Sequence, residues 1–190
     1  MRSGREAILK AAIQLFAQKG YAGTSTREIC QLAGITKPVL YYHFQSKERL
    51  YETLMAQIFR EGVSALIAAA RRRGTLRQRL IRVVGAELQD AKADAVRIQF
   101  ALRMVFTPEE KRPNFNFIQE MERERELLTD MFQESIEAGQ IQGNAEELAT
   151  ALMSMNIIAI LEHHLTGRPT LTRRRAERHV DMILKSCTLD

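Results

Sequence analysis

Cysteine is scarce in this 190-residue chain, with Cys30 and Cys187 far apart as its two thiols. That excludes a framework of paired cysteines, and both are expected as free thiols in a reducing, cytoplasmic setting. Proline and glycine are also few, four and ten respectively. With so little punctuation and a sustained helical spacing of apolar residues, the chain is expected to be all-α. No apolar run approaches the roughly 18 residues of a membrane span. The opening stretch MRSGREAILK lacks an apolar signal segment, so no membrane partner and no export are expected. A metal-spaced His/Cys cluster, a glycine-rich phosphate loop and a nucleophile elbow are likewise missing. No enzyme activity, metal or cofactor is expected. A DNA-processing enzyme would need a nucleophile with clustered arginines, or carboxylates holding metal.

What the chain does have is an ordinary globular composition, 45% hydrophobic and 27% charged, and a charge that is unevenly placed. Residues 1–50 hold eight Lys and Arg against three Glu. The remaining residues balance at twenty of each sign, so the whole excess of five positive charges sits in the first quarter of the chain. A localised excess of this kind is the electrostatic footprint of a phosphate-binding module.

Within that quarter, Thr24–Leu50 reads as two short helices, a tight turn and the start of a third helix. Ser25-x-x-Glu28 has the spacing of a capping box. Ile29, Leu32 and Ala33 are expected on one face of the first short helix, and Gly34 supplies its exit. Thr36 can cap the next helix, where Pro38 is harmless in the first turn. Leu40 and Phe44 face back, leaving Lys37, Val39, Tyr41 and Tyr42 to point elsewhere, and Ser46 opens the following helix with Glu48 in its first turn. Two helices joined by a short turn containing glycine form a helix-turn-helix, whose second helix enters the major groove. Lys37 can donate to guanine O6 or N7, while Pro38 and Val39 suit a thymine methyl. Tyr41 lies one turn further along the same face, with partial core burial as its alternative.

Residues 5–50 also resemble the N-terminal domain of the tetracycline-repressor-like (TetR/AcrR) transcriptional regulators. The matching residues are Ile8-Leu9-x-Ala11-Ala12-x-x-Leu15-Phe16, Gly20-Tyr21-x-x-Thr24-Ser25, Ile29, Ala33-Gly34-Ile35 and the run from Lys37 to Phe44 with Ser46-Lys47-Glu48-x-Leu50. Val39 departs from the small or hydroxyl residue common there, which bears on base preference. The resemblance implies a three-helix DNA-binding domain over 1–47 and a helical ligand-binding and dimerisation domain over 48–190. It implies base contacts from Arg27, Lys37, Pro38, Val39 and Tyr41, and phosphate contacts from Thr26, Tyr42, His43 and Lys47, which set register rather than read sequence. Arg2 and Arg5 either reach a neighbouring groove or phosphate or merely aid solubility.

Beyond residue 50 the periodicity marks further helices at about 46–71, from Thr75, at 95–106, 114–138, 145–165 and 171–187. The segment 95–106 is apolar nearly all round and is expected to be buried. If the chain has the pocket that the resemblance implies, Phe59, Phe100, Arg103, Met104, Phe117 and Met121 are its candidate lining, with plain core as the alternative for each apolar one. The last two helices resemble the pair that meets a two-fold mate in this family. Leu152, Met155, Ala159, Val180, Ile183 and Leu184 are the candidate interface. His163 and His164, adjacent on a helix, point about 100° apart and cannot chelate from one face. The arginine runs at 71–73 and 173–175 are expected to be solvated or ion-paired. The function so implied is a cytoplasmic, homodimeric repressor of a palindromic operator on double-stranded DNA, released by a small hydrophobic or amphipathic ligand. The alternative is a regulator of the same fold with no small ligand, controlled by a protein partner.

Overall fold

The computed structural model describes residues 4–187, so Arg2 lies outside the described residues. Among these, nine α-helices and one 3-10 turn supply all the regular structure, with no strand. Packing divides the chain into two compact units. One joins the chain up to Arg60 with Asp94–Phe117, and the other joins Glu61–Ala93 with the chain from Ile118 onward.

The first unit holds α1 (Gly4–Lys19), α2 (Thr26–Ala33), α3 (Lys37–Phe44), the first half of α4 (Lys47–Ala70) and α6 (Ala95–Val105). α1 buries Ile8, Ala11, Ala12, Leu15 and Phe16, the stripe expected from its spacing. Against it pack Leu40 and Phe44 of α3, Leu50, Tyr51, Leu54 and Met55 of α4, and Phe100 and Met104 of α6. The centre is aromatic. Phe16 stacks on Phe100 at 5.8 Å between centroids, and Tyr51 meets both rings edge-on at 6.2 and 6.0 Å. Burial pushes the Tyr51 phenol up to about 12, against the nearby Arg112 charge. The expectation that 95–106 is buried all round is corrected here. α6 buries Arg97, Phe100 and Met104 but exposes Val96, Val105 and the following Phe106, because one face alone meets α1.

The second unit holds the end of α4, α5 (Leu76–Ala93), most of α7 (Phe117–Glu137), α8 (Ala145–Thr166) and α9 (Arg173–Lys185). α5 packs against α8 and α9, which also pack on each other. Leu76, Leu80, Val83, Val84 and Leu88 of α5 are buried, as their spacing predicts. α9 starts two residues later than expected. Thr172 takes the N-cap, its hydroxyl accepting the Arg175 N–H, while Leu171 is buried ahead of the helix. A chain of polar side chains threads this interior. Asn156 Nδ2 donates to Glu87 Oε2 at 2.7 Å, and Asn156 Oδ1 lies 2.8 Å from His179 Nδ1. Arg175 Nε donates to His179 Nε2, and its other end pairs with Glu162. Since His179 Nε2 accepts from Arg175, the ring must be the neutral Nδ1–H tautomer. Burial and the charges of Arg175 and Arg178 keep it there by lowering its pKa.

One expectation about α8 is corrected by its composition. The helix is long and apolar enough to cross a membrane, although no such run was expected. Here Ala149, Leu152, Met153 and Ala159 are buried, and Asn156 makes the polar contact just described.

Candidate nucleic-acid interface

Local chemistry accounts for how α2 and α3 are set. The Ser25 hydroxyl accepts the Glu28 N–H at 3.2 Å and Glu28 Oε2 accepts the Ser25 N–H at 2.8 Å, a complete capping box. Glu28 also meets Lys19 at 2.5 Å, so the α1 C-terminus and the α2 N-terminus share one ion pair. Those hydrogen bonds, Lys19 first, pull its carboxyl down to about 2. At the other end Gly34 has φ 66°, with its N–H on Gln31 and the Ile35 N–H on Cys30. This is a Schellman exit, in which a left-handed residue lets the chain turn sharply. Leu32, expected to face the core with Ile29, points outward. The buried face of this two-turn helix is centred on Ile29 and Cys30.

α3 is divided by burial into two faces. Leu40 and Phe44 are buried, while Lys37, Pro38, Val39, Tyr41 and Tyr42 are exposed, Tyr42 at 84% and Tyr41 at 43%. Tyr41 lies outside the buried core cluster, with part of its surface still covered. Thr36 occupies the N-cap without the side-chain bond expected of it, so the helix start rests on its backbone and on Pro38. Arg27 of α2 is exposed, and Thr26 and His43 are half-buried. His43 lies edge-on to Tyr42 at 5.2 Å. Arg5 stands over the Phe44 ring at 5.5 Å, so this cation sits beside the C-terminal end of α3.

The turn from α3 to α4 is tight. Gln45 has φ 61° and ψ −38°, and the Ser46 N–H reaches back to the Phe44 carbonyl at 2.6 Å. This is a γ-turn of the rare, strained hand. Ser46 Oγ then accepts the Arg49 N–H and opens α4, as expected. Lys47 has a structural task in addition to the phosphate contact expected of it. Its ammonium donates to the carbonyls of Tyr21 and Thr24, both at 2.9 Å, and lies 4.0 Å above the Tyr21 ring. Burial lowers its pKa. Two of its three donors are therefore used to hold the α1–α2 turn, leaving one for an outside acceptor.

The expected pocket residues have other surroundings. Phe100 and Met104 are fully buried in the first unit's core. Phe59 and Phe117 join Phe115 in an aromatic cluster with centroids 5.1–6.2 Å apart, and Arg112 covers Phe117 at 4.6 Å. Arg103 donates to the carbonyls of Ala17 and Gln18 at 3.1 and 2.8 Å, capping the C-terminus of α1. Met121 lies in the second unit beside a shallow groove of about 230 Å³ with Ile118, Met153 and Ile157.

The expected interface stripe is corrected in part. Leu152, Ala159, Val180 and Ile183 are buried within their own unit, because α8 and α9 turn these residues toward each other and toward α5. Leu184 and Met155 are half-buried. Among the apolar residues presented outward, Ile158 at 61% and Met182 at 57% flank a groove of about 470 Å³ with Met155, and Leu165 is exposed near the end of α8. Spacing alone carried no signal for Ile158, because α8 is apolar almost all round.

Comparison with known proteins places this geometry. Residues 8–54 match the family of bacterial regulatory proteins, tetR family. The transcriptional regulator YvkB of Bacillus subtilis is 30% identical over 82% of this chain and 80% of its own length. The transcriptional repressor KstR2 of Mycolicibacterium smegmatis is 28% identical over 98% of this chain and 91% of its own. Among solved structures, SmeT in complex with triclosan superposes with a TM-score of 0.78 at 19% identity, covering 100% of this chain and 93% of that one.

Proposed function

Since the chain belongs to the TetR family and is a transcriptional regulator, we propose that it is a cytoplasmic repressor that binds a palindromic operator as a homodimer and leaves it when a small ligand binds. By role, residues 1–47 form the DNA-binding domain and residues 48–190 the regulatory and dimerisation domain.

The observation that carries this reading is the division of α3. Its apolar side chains face the core, while Lys37, Pro38, Val39 and Tyr41 stand together in solvent. A helix so divided offers a donor, an apolar patch and an aromatic to base edges, with Arg27 adjoining from α2. Thr26, Tyr42, His43 and the free donor of Lys47 flank it as phosphate contacts. The uneven charge of the chain supports the same face. Met155, Ile158 and Met182 support a two-fold contact, since isolated apolar side chains are common on surfaces but a contiguous groove of them marks a partner. SmeT, of the same fold, has been captured with triclosan, and KstR2 is a repressor. Both support the finer parts of the reading.

The alternative of control by a protein partner draws on one observation, that Phe100, Met104 and Phe117 are core rather than pocket wall. Selection of bound duplexes from a random pool at physiological salt tests the main reading. The expected result is an enriched palindrome whose half-sites are centred about one helical turn apart, roughly 34–36 Å, or a multiple of that. Salt-sensitive binding with no enriched sequence would reduce the head to a non-specific basic surface.

A further inference from the structure

The second unit holds a groove lined by none of the residues the sequence suggested for a ligand. The groove, of about 840 Å³, runs along α5, walled by the end of α4 and by the segment entering α9. Small-molecule sites occupy about 300–1,000 Å³. Its floor is apolar, with Ile81, Gly85 and Leu171 among the residues that line it. Its charged lining residues are Arg72, Arg82, Lys92 and Arg173, and among the described residues no carboxylate lines it.

Two details point to an occupant. Gly85 is inside α5, where glycine costs about 0.5–1 kcal/mol relative to alanine, yet a Cβ built there meets nothing within 4 Å. Packing within the chain does not require the missing side chain. An open floor at backbone level suits the close approach of a bound molecule. The second detail is Arg82. One of its terminal nitrogens is held by the carbonyls of Arg72 and Arg73 at 2.7 and 3.2 Å, which fixes the guanidinium on the wall. Its Nε is buried and has no acceptor among the described residues. That nitrogen is closed to solvent, so Arg82 gives the groove wall its charge rather than a donor to a bound group. Arg173 is shared with Glu177 at 3.0 Å on the outer side, so the rim is only partly neutralised from within.

We propose that this groove binds an amphipathic anion, an apolar chain ending in a carboxylate or a phosphate, with the chain along Gly85 and the head group at the arginine rim. The proposal rests on the ligand-response reading above and gives it a site and a chemical class. It departs from the sequence expectation in place and narrows it in chemistry. The ligand approaches α5 rather than the Phe100 and Met104 core, and its head group is negative.

The test is calorimetric titration of the full chain with dodecanoate, dodecyl phosphate, dodecanol and dodecyltrimethylammonium, each below its micelle concentration. Gly85→Leu fills the floor and improves helix propensity, so it should fold while blocking the groove. Lys92→Glu with Arg173→Glu reverses two exposed rim charges. At least one anion is expected to bind, about tenfold or more tighter than the alcohol or the cation. Gly85→Leu should abolish that binding, and the double variant should weaken it by a similar factor. Whichever anion binds more tightly identifies the head group. Equal binding of all four compounds, no binding of either anion, or anion binding unchanged in Gly85→Leu would each overturn the proposal. Operator affinity is measured in parallel. Anion binding that is lost in Gly85→Leu but leaves the operator occupied keeps the groove assignment and rejects ligand release.

Discussion

The two units treat buried space and carboxylates in opposite ways. The interior of the first is aromatic, built on Phe16, Tyr51 and Phe100, and the carboxylate that caps its α2 lies outside. Glu28 caps α2, pairs with Lys19 and is held at about 2. The second unit carries its acids inward. Glu87 bonds to Asn156, and burial together with the neighbouring Glu124 raises its pKa well above the usual carboxylate range. Glu124 is itself pushed up to about 7 by burial. An aromatic core favours one fixed packing, which suits a reading head whose helix must present a defined face. An interior whose acids Glu87 and Glu124 are raised by burial depends on protonation and polar partners, so its stability is open to adjustment.

That contrast can be broken first in the aromatic core. Phe100→Ala should cost about 3–5 kcal/mol, the range for removing a buried aromatic, measured by urea denaturation. A loss under about 1 kcal/mol, recovered by added ligand, would mean that Phe100 lines a cavity after all.

The acid-bearing interior makes a prediction about pH. The folded-state pKa of Glu124 is raised, so its contribution is fully present below the unfolded value near 4.5 and is lost as pH rises through about 7. Glu124→Gln should therefore leave stability near pH 4 little changed and raise it at pH 8 by on the order of 1–3 kcal/mol. Melting curves that stay parallel across this window would show that the acid is not penalised by burial. Glu28 has the opposite sign: its contribution is present above the unfolded value and disappears as pH falls toward 2. Acid should thus weaken the cap of α2 under conditions that favour the second interior.

A smaller effect sharpens the picture of the head. Gln45 holds φ 61° in a strained γ-turn directly after α3. Gln45→Gly should relieve that strain and stabilise the fold by about 1 kcal/mol net of glycine's entropy. Thermal melting checks this, and destabilisation would mean that the Gln45 side chain contributes more than its backbone costs.

Legibility in sequence followed the range of the interactions. The capping box at Ser25 and Glu28, the exit at Gly34 and the division of α3 by Leu40 and Phe44 are local, and each could be read from spacing within a few residues. The face of α8 that turns outward was not legible. Periodicity groups Leu152 with Ala159 and Val180 with Ile183, but it does not say whether their cover is another helix of the chain or a mate. The helices of the same unit cover them, and Ile158 and Met182 are left outside. The same limit applied to Phe100 and Met104, whose apolar character suited a pocket wall and a core equally. Gln45 offered no signal, since its conformation is imposed by the helices on either side. Asn156, a lone amide in an apolar run, was the one visible sign of the polar chain inside the second unit.

The central claim is that the outward face of α3 reads sequence while its flanks hold phosphates. The most direct test compares Lys37→Ala and Tyr42→Ala on the selected operator, on every single-base-pair variant of it and on a scrambled duplex. Lys37→Ala should lose discrimination at one base pair per half-site, worth roughly 1–3 kcal/mol, while affinity for the scrambled duplex changes little. Tyr42→Ala should weaken every duplex alike. If Lys37→Ala also weakens all duplexes equally and every base preference survives, α3 is a phosphate-binding helix and sequence is read elsewhere.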